Sequence, residues 1–281
     1  MNAQALIDLI RSDYLYDTQE PYRWTDAFLL RALIEAERQA CNRWHLIYDD
    51  STSAVAQIAL KDGVASYSLS SKITAIEQIL LDSVFVTKTS KDELEANDPT
   101  WRTQTGVTNV PVRAVIRNRA ITFSPVPVAS KDAKYIQDST PSVAALNDTW
   151  FNPATSALSK YNGSSWTIDP TATLKTVYLE TFRLPLLDSI TTAYEFEIAE
   201  EHHRKLIHWV LQEAYLKKDS DGIDIQSYDP QRAQMELSLF NDYFGLPVSA
   251  AVRQNQLQEP RTATIRPIAY ASNRIVNDEW D

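Results

Sequence analysis

Residues 23–44 read RWTDAFLLRALIEAERQACNRW, and the conformation of this stretch decides the fold. Thr25 can cap a helix start, and Asp26 suits the positive end of the helix dipole. At 100° per residue, Leu29, Leu33, Ala36, Ala40 and Trp44 share one stripe, and Arg31, Glu35, Arg38 and Asn42 lie opposite. The spacing predicts an amphipathic helix over 25–44, with a shorter helix over 2–12 before it.

Beyond residue 50 the period changes from 3.6 to two. SAVAQIAL and VASYSL flank KDG, a hairpin signal, and VPVRAVI and AITFSPV flank RNR, a second one. ITAIEQILLDSVFV and TLKTVYLETF read as further strands, with a short helix over 90–96. Helical spacing returns at 195–218 and 229–244. The second of these opens on Asp229 as cap and Pro230 at the first helical position, and ends at Gly245 with Pro247 beyond. From 246 onward the periodicity vanishes. The expected fold class is α+β: an antiparallel helical bundle from both chain ends, a β-rich middle with a small inserted β module, and an extended C-terminal arm. The expected boundaries are 1–50, 51–129, 130–172 for the module, 173–245, and 246–281 for the arm.

The bulk numbers exclude several functions. Net charge is −10 over 281 residues, which disfavours a protein that wraps nucleic acid or a DNA-binding regulator. The excess is uneven: residues 1–50 are net −4, 195–245 net −6, and the remainder balances. One cysteine, Cys41, allows no internal disulfide and fits a reducing compartment. The N-terminus has no basic start followed by an apolar run, and no apolar run approaches the ~18 residues of a membrane span. The five glycines are isolated, so phosphate-cradling loops and nucleophile elbows have no material. No cofactor is expected.

Candidate chemistry is sparse. EEHHRKLIHW, 200–209, holds three of the four histidines. His202, His203 and His208 are one, five and six residues apart, so they point in different directions, whereas two ligands on one helix need a spacing of three or four. His203 is expected half-buried, with His202 and His208 near solvent. In DSDGIDIQSYD, 219–229, the glycine comes too early for a calcium loop, and no glutamate closes it. Cys41 and His45 lie on one side of a helix with no oxyanion hole, so Cys41 reads as core. Glu200 and Glu201 are adjacent and do not face each other. No convergent catalytic constellation emerges.

Two segments offer partner contacts. Arg113, Arg117 and Arg119 around the RNR turn form a dense basic patch for phosphate or an acidic surface, or an ordinary solvated hairpin. DTWFNPATSALSKYNGSSWTID, 148–169, spaces Trp150, Phe151, Tyr161 and Trp166 through turn signals, as a meander of three short strands. It resembles short aromatic modules of phage tail and fibre proteins. Its rings either form the module's own small core or stay open to stack on sugars or fill a partner's pocket.

The order of elements also carries a resemblance. RWTDAFLLRALIEAERQACNRW is similar to the opening of head–tail connector, or adaptor, proteins of tailed bacteriophages. The run VYLETFRLPLLDSITTAYEFEIAEEHHRKLIHWVLQEAYLKKDSDG followed by DPQRAQMELSLFNDYFG is also similar to that family. The resemblance covers about 10–130 and 173–245, and the aromatic module stands outside it. It implies a structural virion protein without catalysis, at the head–tail junction of the particle and in the host cytoplasm during assembly. The implied partners are the portal protein, neighbouring copies in a dodecameric ring, a downstream tail or nozzle protein, and passing double-stranded DNA without sequence-specific binding. Acidic helices facing the channel would repel that DNA. A tail or baseplate protein whose module grips glycan or a fibre is the alternative reading. The arm is expected to dock on a neighbouring subunit or the portal, through Arg253, Arg261, Arg266 and Arg274 and the anchor Trp280. Deleting 248–281 is expected to leave a folded monomer that no longer joins portal particles.

Overall fold

The computed structural model describes residues 1–81, 84–101, 111–128, 133–155, 157–168, 175–186, 191–217 and 228–258. In chain order it places α1 (Ala3–Leu9), which runs into a π-helical turn at Ile10–Leu15, then α2 (Asp26–Arg43), β1 (Tyr48–Asp49), α3 (Ser53–Ala56), β2 (Gln57–Ala59), β3 (Ser66–Ser68), β4 (Ile73–Leu81), β5 (Val84–Phe85), β6 (Thr87–Lys88) and α4 (Lys91–Asn97). There follow β7 (Arg113–Arg117), β8 (Ala120–Ser124), β9 (Tyr135–Ile136), β10 (Thr149–Asn152), β11 (Ala157–Tyr161), β12 (Trp166–Ile168), β13 (Thr176–Arg183), α5 (Glu200–Leu216), α6 (Pro230–Phe244) and α7 (Ala250–Gln258).

Two main cores form. In the first, Leu29, Leu33, Ala36 and Ala40 of α2 meet Leu206, Ile207, Val210 and Ala214 of α5, with Phe240 and Phe244 of α6 and Leu6, Ile7 and Ile10 of the N-terminal helix. Trp44, placed on the α2 stripe by its spacing, instead ends the helix and stays partly exposed. The caps act as the sequence indicates. Thr25 accepts from the Phe28 N–H at 3.3 Å, and Asp229 from the Arg232 N–H at 3.0 Å. Arg11 is buried and fixes the chain before α2: its guanidinium meets Asp17 and Asp26, both at 2.7 Å, and stacks 3.9 Å from the Tyr22 ring.

The second core lies between two sheets. In one, the order is β1–β13–β4–β5, with β2 also on β13, all antiparallel. In the other it is β3–β8–β7–β6, with β6 and β7 parallel. Ile73, Ile76, Ile79, Val177 and Leu179 meet Ala114, Ile116, Ile121 and Phe123 there. A third sheet, β12–β11–β10–β9, stands by itself around Phe151 and Leu158.

Three expectations are corrected. The KDG turn makes no hairpin: SAVA forms one helical turn, β2 pairs with β13, and β3 pairs with β8. Local alternation found the strand residues of β2 and β3 but not the helical turn at Ser53–Ala56, and tertiary pairing sent the two strands to different sheets. The ITAIEQILLDSVFV strand is a pair, β4 and β5. The arm is not extended throughout. Residues 250–258 form α7, and Leu257 is buried in the β core at 5% exposure. A cut at 248 therefore also removes core material, and a test of the arm has to cut after Gln258. Among the described residues, no helix is long and apolar enough to cross a membrane.

Candidate partner surfaces

The basic hairpin is built by β7 and β8. Asn118 and Arg119 both take positive φ, 48° and 59°, which makes the two-residue turn whose twist matches the flanking strands. An arginine is strained there, and its side chain offsets that strain. One Arg119 Nη donates to the carbonyls of Ser70 at 2.6 Å and Ile73 at 3.1 Å. Burial holds its pKa below the ordinary arginine value. Arg119 thus ties the turn to Ser70 and to Ile73 at the start of β4, so its guanidinium is engaged within the chain although the residue stays exposed. Arg113 and Arg117 differ: both are exposed and share one face of β7, with buried Val115 between them. Val115 packs with Leu94 of α4 and Trp101. Beside Arg117 a groove of about 320 Å³ is lined by Lys91, Trp101, Val115 and Phe123. The three-arginine patch is in fact a pair on a face and a separate clamp.

The aromatic sheet has two faces. Phe151 and Leu158 pair across β10 and β11 and point one way, into a small core with Ala133. Tyr135, Trp150, Tyr161 and Trp166 point the other way. Trp166 stands central, with ring centroids 6.1 Å from Tyr135, 5.7 Å from Trp150 and 5.3 Å from Tyr161. All four rings are half-buried. The Trp150 indole N–H donates to the Gln137 carbonyl at 2.8 Å, and the Tyr135 hydroxyl to Asp148 at 3.2 Å. Asp148 also accepts from the Ala145 N–H and pairs with Lys134, and both hold its carboxyl below the usual range. The polar tips of Trp150 and Tyr135 are thus engaged within the sheet, and their tilted contacts make a cluster instead of a flat platform.

Of the arm residues, Arg253 lies on α7. Its Nη1 donates to Asn42 on α2 at 3.1 Å and its Nη2 to the Val248 carbonyl at 3.1 Å. Arg261, Arg266, Arg274 and Trp280 lie outside the described residues, as does most of the 219–229 acidic segment.

A family profile described as SU10 adaptor protein matches residues 1–267. The chain belongs to the SU10 adaptor protein family. The adaptors of this family are structural proteins of phage particles that work with portal and tail proteins at the head–tail joint. No curated protein was found that matches this chain. The matched span runs through the aromatic sheet, which the element-by-element resemblance had left out.

The histidines of this adaptor serve packing. His203 is buried, its Nε2 meets the Ile198 carbonyl at 3.0 Å, and burial lowers its pKa. His202 and His208 were expected near solvent. Instead both turn toward α6: His202 Nδ1 lies 3.0 Å from the Tyr243 hydroxyl, and His208 Nδ1 lies 2.7 Å from Glu236. Their different directions are what lets each reach a different neighbour. Cys41 is buried, and burial followed by nearby Glu37 pushes its thiol well above the ordinary range, so it is no nucleophile.

A polar junction, which no motif marks, joins the two cores of the adaptor. Arg183 ends β13, and its guanidinium pairs with Asp49 through Nε and with Glu197 at 2.6 Å through Nη1. Asp49 also accepts from the N–H groups of Ser51 and Thr52. Burial raises the Asp49 pKa, but those N–H donors and Arg183 outweigh it and hold the carboxyl low. The Glu197 and Ile198 N–H groups and the Tyr194 hydroxyl all donate to Glu37 of α2, at 2.7, 3.2 and 2.5 Å. Glu37 is fully buried, and burial raises its pKa against those donors. These residues lie far apart in sequence, so only the fold brings them together.

Proposed function

We propose that the chain forms a ring of twelve copies beneath the portal, extends the DNA channel and presents a platform to the next tail component. The family match over 1–267 carries this reading. The net charge of −10 supports it, because a wall that passes DNA without gripping it needs an acidic lining. In this reading α1, α2, α5 and α6 form the antiparallel bundle of the adaptor body, and the aromatic sheet is an inserted module. Arg113 and Arg117 contact an acidic partner surface. The module, with Trp150, Tyr161 and Trp166, meets a tail or fibre protein. The segment after Gln258, with Arg261, Arg266, Arg274 and Trp280, fastens each copy to the portal or its neighbour. The test is to mix the purified chain with portal-bearing, DNA-filled heads and image the product. Twelve copies around the portal axis are expected. A chain that stays monomeric and leaves the portal bare would refute the proposal. A glycan array with the full chain separates the alternative: specific sugar binding lost in Trp166→Ala would move the function to the module.

A further inference from the structure

We propose that a groove between α2 and the start of β4 receives residues 278–281, the acidic Asp-Glu-Trp-Asp, of a second copy of this chain. The inference rests on the ring reading above and names the contact that would join neighbours. The groove holds about 460 Å³. Arg31, Ile34, Glu35 and Arg38 of α2 form one wall, and Lys72 and Leu184 face them. The Leu184 N–H donates to the Lys72 carbonyl at 2.9 Å, which fixes that facing wall. Leu184 is buried and Ile34 half-buried, and these two side chains are the apolar part of a lining that is otherwise charged or polar. Three cationic side chains stand around one carboxylate, Glu35, which accepts from Gln39 at 2.7 Å and lies 3.9 Å from Arg38. This basic spot lies mainly on a segment, 1–50, that is net −4.

The complement lies in the same chain. Asp278, Glu279 and Asp281 flank Trp280. Carboxylates can take the Arg31 and Arg38 forks, and one indole can cover the Ile34 and Leu184 floor. The length of chain lets a neighbour's tail reach the groove as well as the protein's own. On α2, Arg31, Glu35, Arg38 and Asn42 form one row, and Arg253 of α7 pairs with Asn42 at its end. A tail leaving α7 needs only a few residues to fold back along that row. Residues 259–277 reach up to roughly 60 Å at about 3.3 Å each, whereas a domain of this size is roughly 45 Å across. That reach spans a neighbour.

The test uses two full-length populations, Ser71→Cys and Asn277→Cys, mixed under diamide at high protein concentration and again on portal particles. An intermolecular disulfide between the two is expected in at least one condition. Arg31→Glu with Arg38→Glu should lower its yield about tenfold, and Asp278→Lys with Glu279→Lys in the other population should restore it. No cross-link in either condition, a cross-link only within a single chain carrying both cysteines, or yields indifferent to charge reversal would each overturn the proposal. Normal incorporation of the reversed-charge chain into portal particles would show that the ring stands while this contact fails. Wild-type chain that never joins the portal would strike the ring reading itself.

Discussion

Replacing Arg183 by methionine isolates the energetics of the junction between the two cores. The side chains of Arg183, Asp49 and Glu197 are 10%, 3% and 20% exposed. Methionine keeps much of the apolar stem, so packing changes little and the charge alone is lost. Two carboxylates then stay inside without their cation, and breaking a buried pair this way costs about 3–5 kcal/mol. Asp49 keeps the Ser51 and Thr52 N–H groups at 3.1 and 2.9 Å, and Glu197 keeps that of Leu186 at 2.5 Å. The cost therefore falls near the lower end, about 3 kcal/mol or roughly a hundredfold in the folding constant. The pH dependence follows from the low folded pKa of Asp49. Such a group stabilises the fold above its unfolded pKa, and the contribution is lost as pH falls through the folded one. The deficit of Arg183→Met is thus greatest near neutrality and narrows only below about pH 4, as the Asp49 carboxyl takes up its proton. Urea unfolding followed by tryptophan fluorescence at pH 7 and at about pH 3 measures both effects. A loss below about 1 kcal/mol at pH 7, or an equal loss at the two pH values, would refute the reasoning.

Glu37→Gln should flatten the stability profile. A raised folded pKa contributes stability that is full below the unfolded pKa and lost as pH rises through the folded one, so the variant gains on the parent as pH rises above the ordinary glutamate value, read as urea midpoints. Leu257→Ala should cost about 2–3 kcal/mol and expose α7 to hydrogen exchange, because Leu257 is that helix's buried anchor in the β core. Truncation after Gln258 should leave the unfolding free energy of the remaining protein within about 0.5 kcal/mol of the parent, measured by urea unfolding. Trp166→Ala removes the ring that touches Tyr135, Trp150 and Tyr161, and should open 133–168 to limited proteolysis while the helical core keeps its unfolding transition.

What the sequence made legible was local. Thr25, Asp229 with Pro230, and Gly245 marked helix ends because capping is a short-range hydrogen-bond problem. The RNR turn was legible because two alternating runs flank it and Asn118 suits a left-handed position, even though Arg119 does not. The role of Arg119 was not, since its acceptors lie 46 and 49 residues away at Ile73 and Ser70. The same limit hid the junction. Asp49 and Arg183 are 134 residues apart, and nothing in either neighbourhood names the other. Helix α7 was missed because its nine residues hold a weak apolar pattern, with Leu257 as the buried contact. The aromatic module's alternation was readable, but which rings face inward followed from register: Trp150 pairs with Tyr135, and Phe151 with Leu158.

Formal charge counts acids wherever they lie, whereas the field that acts on DNA comes from those facing solvent. In this chain Glu37, Asp49 and Glu236 are buried and engaged with Tyr194, Arg183 and His208, and the Asp17 carboxyl is spent on Arg11. Arg11 and Arg183 are withdrawn with them. The acids so removed outnumber the arginines by only two, so most of the −10 is left to the remaining side chains. Glu200 and Glu201 at the start of α5 are exposed, and both suit the positive end of that helix. The exposed pairs Arg31 with Arg38 and Arg113 with Arg117 stand against this background as local exceptions. Each sits beside a groove whose lining includes apolar side chains, Ile34 and Leu184 in one, Val115 and Phe123 in the other. A long polyanion sliding past would be repelled by the general field before it met either pair. A protein segment carrying a few carboxylates and an aromatic ring can reach a groove, bury its ring and neutralise two guanidinium groups at once. In the proposed ring, this charge distribution would favour passage of nucleic acid and capture of protein, the two demands such a joint would place on it.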